Sequence, residues 1–205
     1  MSGLVQRANV ASGAYADARM EYDRSLAVFA AHADYYDSVR RGGVFVGGTA
    51  VTGVAPGTAI GTTAAFSLYN PLGSGINLVV LRATMGYVSG TLGAGVITYL
   101  ANNNPAAAAT TGTAITAVNC LMGGAVSAAR PFTTATLPVA PTVMRPFVSL
   151  QASLASTATA PWQVAEDVRG EFIVTPGCTI SLHGTTAAGS SPLVVFGMTW
   201  EEFAV

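Results

Sequence analysis

Phe66 to Gly90 reads FSLYNPLGSGINLVVLRATMGYVSG. Phe66 and Leu68 alternate with Ser67 and open a strand, and Asn70-Pro71-Leu72-Gly73-Ser74-Gly75 supplies a tight polar turn. Beyond the turn, Ile76, Leu78, Val79, Val80 and Leu81 form a nearly continuous apolar run broken only by Asn77, the pattern of a strand buried on both faces. Val79, Leu81, Ala83, Met85 and Tyr87 then share one side, with Arg82 and Thr84 on the other. No group in this stretch is a catalytic candidate. Composition and spacing point to a β-rich assembly module.

The same grammar extends in both directions. Upstream, Val44-Phe45-Val46 opens a strand, and Gly47, Gly48, Gly53, Pro56 and Gly57 break the chain after it into short pieces. Downstream, Ala94 to Leu100 reads as a strand ending at Asn102-Asn103-Asn104-Pro105, and Ala106 to Gly112 reads as a loop. Ile115 to Met122 reads as a strand, and Gly123 to Pro141 as a long loop punctuated by Pro131, Pro138 and Pro141. Alternation is cleaner in the last third. Val148, Leu150, Ala152 and Leu154 share a face; Phe172 and Val174 oppose Glu171 and Thr175. After the Pro176-Gly177 turn, Cys178, Ile180 and Leu182 oppose Thr179, Ser181 and His183, and Val194, Phe196, Met198 and Trp200 form a closing stripe. About eight short strands with Gly/Pro punctuation predict an all-β fold, a β-sandwich of the jelly-roll type.

The first 41 residues differ in kind. Arg7, Arg19, Arg24, Arg40 and Arg41, with Asp17, Glu21, Asp23, Asp34 and Asp37, place ten of the nineteen charges there. No acidic residue occurs between Asp37 and Glu166. The change at Arg41-Gly42-Gly43 divides the chain into an N-terminal arm, 1–41, and a sandwich domain, 42–205. In the arm Tyr15, Tyr22, Phe29 and Tyr36 recur every seven residues, with Leu26 and Ala33 four beyond Tyr22 and Phe29. With no Gly or Pro from Ala14 to Val39, that spacing predicts a helix over 14–39. Its seam (Tyr15, Tyr22, Leu26, Phe29, Tyr36) packs either on its own domain or on a neighbouring subunit.

Composition narrows the function classes. Charged residues are 9% of the chain and the net charge is −1, against about a quarter charged in ordinary soluble domains. Neither nucleic acid nor a membrane is an expected partner. No window of the chain is apolar enough for a transmembrane helix, and MSGLVQRANVASG lacks the apolar core of a signal peptide, so synthesis in a cytoplasm is expected. All nine basic residues are arginine, which excludes chemistry that needs a P-loop or Schiff-base lysine. Cys120 and Cys178 are the two cysteines, without CxxC spacing, and read as buried free thiols. A chain this poor in charge hides much of its surface in contacts, so a homo-oligomer is expected, a trimer by analogy with other jelly rolls.

Candidates for chemistry are few. His32 lies among the arm's charges, and His183 on the polar face of its strand reads as a surface residue, with a general base as the alternative. Gly73-Ser74-Gly75 joins two strands and is not a nucleophile elbow. Glu166-Asp167 and Glu201-Glu202 are adjacent pairs whose members point to opposite faces of a strand. They read as solvated edge charges or salt-bridge partners for arginines at a subunit contact, with cation ligation by Glu166 and Asp167 as a lesser alternative. The expectation is a protein that is not an enzyme and carries no cofactor or metal.

The run LYNPLGSGINLVVLRATMGYVSGTLGAG, Leu68 to Gly95, resembles tailed-bacteriophage virion structural proteins. GVFVGGTAVTGVAPGTAIGTT upstream, FIVTPGCTISLHG, and SPLVVFGMTWEEF, Ser191 to Phe203, are similar in character. The resemblance implies a jelly-roll capsid decoration (cement) protein that oligomerises, binds the major capsid protein and stabilises the mature head on the capsid surface of the virion. The alternative is a tail or head-fibre component that binds a host receptor or glycan through the loops at Asn102–Gly112 and Gly184–Ser191. A glycan-processing enzyme built on His183 and a carboxylate is the third reading.

Overall fold

The computed structural model describes residues 33–103, 108–150, 163–185 and 190–205, and the backbone of 7–9, 15–17, 19–20 and 26–27. In chain order the strands are β1 (Arg7–Asn9), β2 (Tyr15–Asp17), β3 (Arg19–Met20) and β4 (Leu26–Ala27); helix α1 (Tyr36–Arg40) is next. Then come β5 (Val44–Gly48), β6 (Thr63–Tyr69), β7 (Ile76–Ser89), β8 (Gly95–Asn102), β9 (Thr111–Ala114) and β10 (Val118–Asn119). The chain closes with β11 (Arg130–Thr136), β12 (Thr142–Leu150), β13 (Gln163–Asp167), β14 (Ile173–Val174), β15 (Thr179–Gly184) and β16 (Leu193–Ala204).

Two antiparallel sheets carry the body. The first runs β10-β5-β16-β7-β13, with β14 also paired to β7; the second runs β12-β8-β15-β6-β11-β9. Fully buried Phe66, Leu68, Tyr99 and Leu182 of the second sheet belong to one core with Val80, Met85, Phe196 and Trp200 of the first. Removing such side chains from water contributes about 1.5–3 kcal/mol each. The expected stripe Val194, Phe196, Met198 and Trp200 lies wholly in this core, as do Cys178, Ile180 and Leu182.

The opening stretch folds around its turn. β6 and β7 do not pair with each other: they lie in opposite sheets, so Asn70–Gly75 carries the chain across the sandwich. Asn70, fully buried, makes the crossing possible. Its amide donates to Cys178 O (3.0 Å) and its carbonyl accepts from the Gly177 amide (2.7 Å), which continues the second sheet. Its side-chain Nδ2 donates to Ile76 O and Val174 O, both at 2.8 Å, in the first sheet. Ser74 Oγ donates to Asn70 Oδ1 (2.6 Å), so the buried amide group has no idle atom.

Several expectations need correction. The apolar phase of β7 is not continuous: Leu78 and Val80 enter the core, then Ala83 and Met85, while Val79 is only half-buried. A register shift opposite Thr199 and Trp200 inserts the extra residue, as a β-bulge does. Ile115–Met122 is not one strand; only Val118–Asn119 pairs. The expected loop Gly123–Pro141 contains β11, paired to β6 and β9. Pro131 is tolerated there because its carbonyl accepts from Ile115 on the β9 side, so the missing N–H also faces short β9 and not β6.

The helix over 14–39 is also corrected. Tyr15–Asp17, Arg19–Met20 and Leu26–Ala27 are strands, in the pairs β1–β2 and β3–β4, and among the described residues the one helix is five-residue α1. Aromatic residues favour strands as well as a helical seam, and a helix without a packed face is marginal. Tyr22 and Phe29 lie outside the described residues, and Tyr15 and Leu26 are described in backbone only. α1 ends on Gly42 (φ +73°), whose amide bonds Val39 O while Gly43 bonds Ser38 O.

Asn70→Ala removes the donor to buried Val174 O and one donor to part-buried Ile76 O and should cost about 2–3 kcal/mol in urea denaturation, against about 1 for Ser74→Ala. Equal losses in the two variants would contradict the assigned role of the side-chain amide.

Candidate functional site

The histidine expected at the surface is buried. His183, 6% exposed, accepts the Ala65 amide at Nδ1 (3.0 Å), which leaves Nε2–H to donate to Ala59 O (3.1 Å). A Cβ on Gly57 would fall within 2.2 Å of ring atoms, so only glycine lets this strap lie against the imidazole. Burial holds the His183 pKa below its ordinary value despite the bond to Ala59. Both nitrogens are engaged, so the residue fastens the 57–61 strap to the second sheet and offers no free base. His32 lies outside the described residues.

The carboxylate pairs behave as strand geometry requires. Glu166 turns toward Tyr99 and Arg145, while Asp167 turns out to Arg82 Nε (2.6 Å), which lowers the carboxyl's pKa. Glu202 accepts Ser127 Oγ, the Ala128 and Ala129 amides and Trp200 Nε1–H, and so pins the 127–129 loop to β16. Cys178 is buried and Cys120 half-buried, and both are free thiols. Among the described residues no three His, Cys, Asp or Glu side chains come together as metal ligands would.

One cluster was not legible in the sequence. Arg145 on edge strand β12 binds Glu166 Oε1 with Nη1 (2.7 Å), Glu171 Oε2 with Nη2 (2.8 Å) and Glu171 Oε1 with Nε (3.3 Å). Its guanidinium lies 4.8 Å from the Tyr99 ring centroid and 5.0 Å from that of Phe172. Tyr99 donates to Glu166 Oε2 (3.0 Å), and burial together with that carboxylate pushes its pKa up, so the hydroxyl stays protonated. Only arginine's planar fork can satisfy two carboxylates while stacking on rings. The cluster ties β12 of one sheet to β13 of the other. A neighbouring cleft of about 260 Å³ is lined by Asn103, Met144, Glu171, Phe172, Thr175 and Cys178, and it holds no base–nucleophile pair.

The two sides of the sandwich are unlike. On the Arg145 side, edge strand β12 carries Pro146 and two register shifts, and β13 carries Glu166 and Asp167; these devices discourage strand addition. On the other side one segment, Thr111–Asn119, supplies both edges, β9 and β10, and has no charge and no proline. All four β9 residues are exposed. Beside this edge Asn119 fixes the next loop, donating to Gly42 O (2.9 Å) and Ala125 O (3.0 Å) and accepting the Leu121 amide (2.8 Å). Held between Asn119 and the Glu202 anchor, this loop presents Met122 and Val126 to solvent at 84% and 92% exposure.

Compared with protein-family models, curated proteins and solved structures, the chain matches none.

Stability should fall as pH drops below about 6.5, because unfolded His183 then binds a proton that the folded site refuses, by at most about 1.4 kcal/mol per pH unit. Urea denaturation of His183→Gln should show lower stability at pH 8 and a flatter dependence down to pH 5.5; a slope equal to the parent's would mean that His183 is not the titrating group. Arg145→Met should cost about 1–2 kcal/mol, since the carboxylates it leaves are partly solvated. Full stability retained in that variant would show that the cluster does not hold the sheets.

Proposed function

We propose that the chain is a jelly-roll structural protein of a virion, a decoration protein that reinforces a capsid as an oligomer and has no catalytic function. The observation that carries the reading is strand order. With β9, β10, β11 and β14 set aside as additions to the sheets, the remaining eight body strands β5, β6, β7, β8, β12, β13, β15 and β16, numbered along the chain, fall 1-8-3-6 in one sheet and 2-7-4-5 in the other. Strands adjacent in sequence alternate between sheets except at 4–5, as expected when paired Greek keys are rolled into a sandwich. That architecture serves viral capsids, lectins and cupins alike, so order alone does not choose among them.

Three features favour an assembly role. The resemblance at Leu68–Gly95 and Ser191–Phe203 is to phage virion proteins. The surface is poor in charge, which suits burial against other subunits. The ionisable groups that a cupin-like or hydrolytic site would use are engaged elsewhere: His183 holds a strap, and Glu166 and Glu171 bind Arg145. Attachment would rest on many modest contacts multiplied by symmetry, so weak binding per copy becomes firm binding per shell. The major capsid protein is the partner in this reading.

Co-sedimentation of the purified chain with expanded shells lacking decoration tests it. Saturable binding at a fixed ratio to the capsid protein, with shells made more resistant to heat, is the expected result. Failure to bind shells, together with binding to host cells or their glycans, would replace this reading with the receptor-binding one.

A further inference from the structure

We propose that the N-terminal segment of a second copy of this chain adds as a strand to the β9–β10 edge. This deepens the self-assembly half of the proposed function but does not depend on any capsid.

The edge is prepared for addition. Thr111–Asn119 closes both sheets on one side of the sandwich without a charge or a proline, guarded only by the shortness of β9 and β10 and a register shift against β11, whereas the opposite side is guarded by proline, bulges and charge. Ile115 donates to Pro131 O, inward across β11 (2.9 Å). Amides alternate along a strand, so Ala114, exposed, directs its backbone groups away from the sheet. Met122 and Val126 project from the anchored loop after β10, ready to cover apolar side chains of an added strand.

The arm is the matching occupant. Its described strands pair only with one another, over three residues in β1–β2 and two in β3–β4. Hairpins this short are unstable alone and need a sheet to join. The body begins beside the edge in question, where Gly42 O accepts from Asn119 of β10, while Tyr35, nearer the arm, lies close enough to Arg82 of β7 to act on its charge. Thirty-two residues precede Ala33, roughly 100 Å of extended chain, enough to reach a neighbouring copy. Its apolar members, Tyr15, Tyr22, Leu26 and Phe29, lie among charges of both signs and meet a neutral edge, so no like-charge repulsion opposes docking.

The test uses the full chain. Light scattering across a concentration series gives association, and amide hydrogen exchange reads residues 1–32 and 111–119 in the same samples. The expected result is that protection rises in both segments together as the protein associates. Ala114→Pro removes the outward donor and should weaken association about tenfold or more, the scale of one orphaned interchain hydrogen bond. Val143→Lys on the guarded edge β12 should leave association unchanged. Ala114→Lys, which places a charge at the edge and keeps the amide, covers the case in which the proline variant does not fold. Parent-like association in both Ala114 variants overturns the proposal. So does protection of 111–119 that is independent of concentration, which would mean that each arm folds back on its own body, and so does a chain that stays monomeric with 111–119 unprotected. Each of these outcomes is separate from shell binding.

Discussion

A single buried amide serves both sheets where the chain crosses from β6 to β7. The chain passes from β6 in one sheet to β7 in the other within six residues, and it leaves a buried carbonyl, Val174 O, and a part-buried one, Ile76 O, in need of a donor. Asn70 meets the requirement because its backbone can remain in the ladder of one sheet while its Nδ2 serves Ile76 O and Val174 O of the other. No apolar residue can do this, and aspartate would lack the donors. Once the crossing is made, β7 can run fourteen residues as an inner strand of the first sheet. β16 then pairs to it along its length, and β13 and β14 pair to parts of its other side.

The sides of the sandwich differ because each edge is finished differently. At one, Arg145 draws Glu166, Glu171, Tyr99 and Phe172 into a clamp between edge strands. Asp167, on Arg82, and Glu202, on the 127–129 loop, are likewise committed to internal bonds. At the other edge, a neutral segment closes both sheets, and an anchored loop presents methionine and valine to solvent. Four carboxylates and two arginines are thus committed to internal bonds, and the segment that closes the other side carries no charge.

Much of the fold could be read from the residues. The alternating stripe from Val194 to Trp200, the turn at Pro176-Gly177 and the Asn-Pro-Leu-Gly turn all stand where local pattern puts them, because each depends on neighbours in sequence. Pairing partners could not be read in this way. The Asn70 turn looks the same whether its strands pair or part, and only the carbonyls it must satisfy distinguish the cases. β11 was hidden by Pro131, which is harmless only because its missing donor faces a short edge strand. The bulge in β7 reversed the phase within Leu78–Leu81, four apolar residues with no polar one among them to mark it. The Arg145 cluster joins residues far apart in the chain, with no spacing signal between them. His183 alternates like a surface residue, but the strap at Gly57 covers it, and a lone glycine says nothing of what it lies against.

Native-state hydrogen exchange at the Asn70 and Gly177 amides tests most directly whether the crossing carries the fold. If it does, both amides exchange only through global unfolding, and their opening free energy falls with denaturant at the slope of the whole molecule. Exchange through a local opening, at lower free energy and with little dependence on denaturant, would mean that the sheets hold together without it.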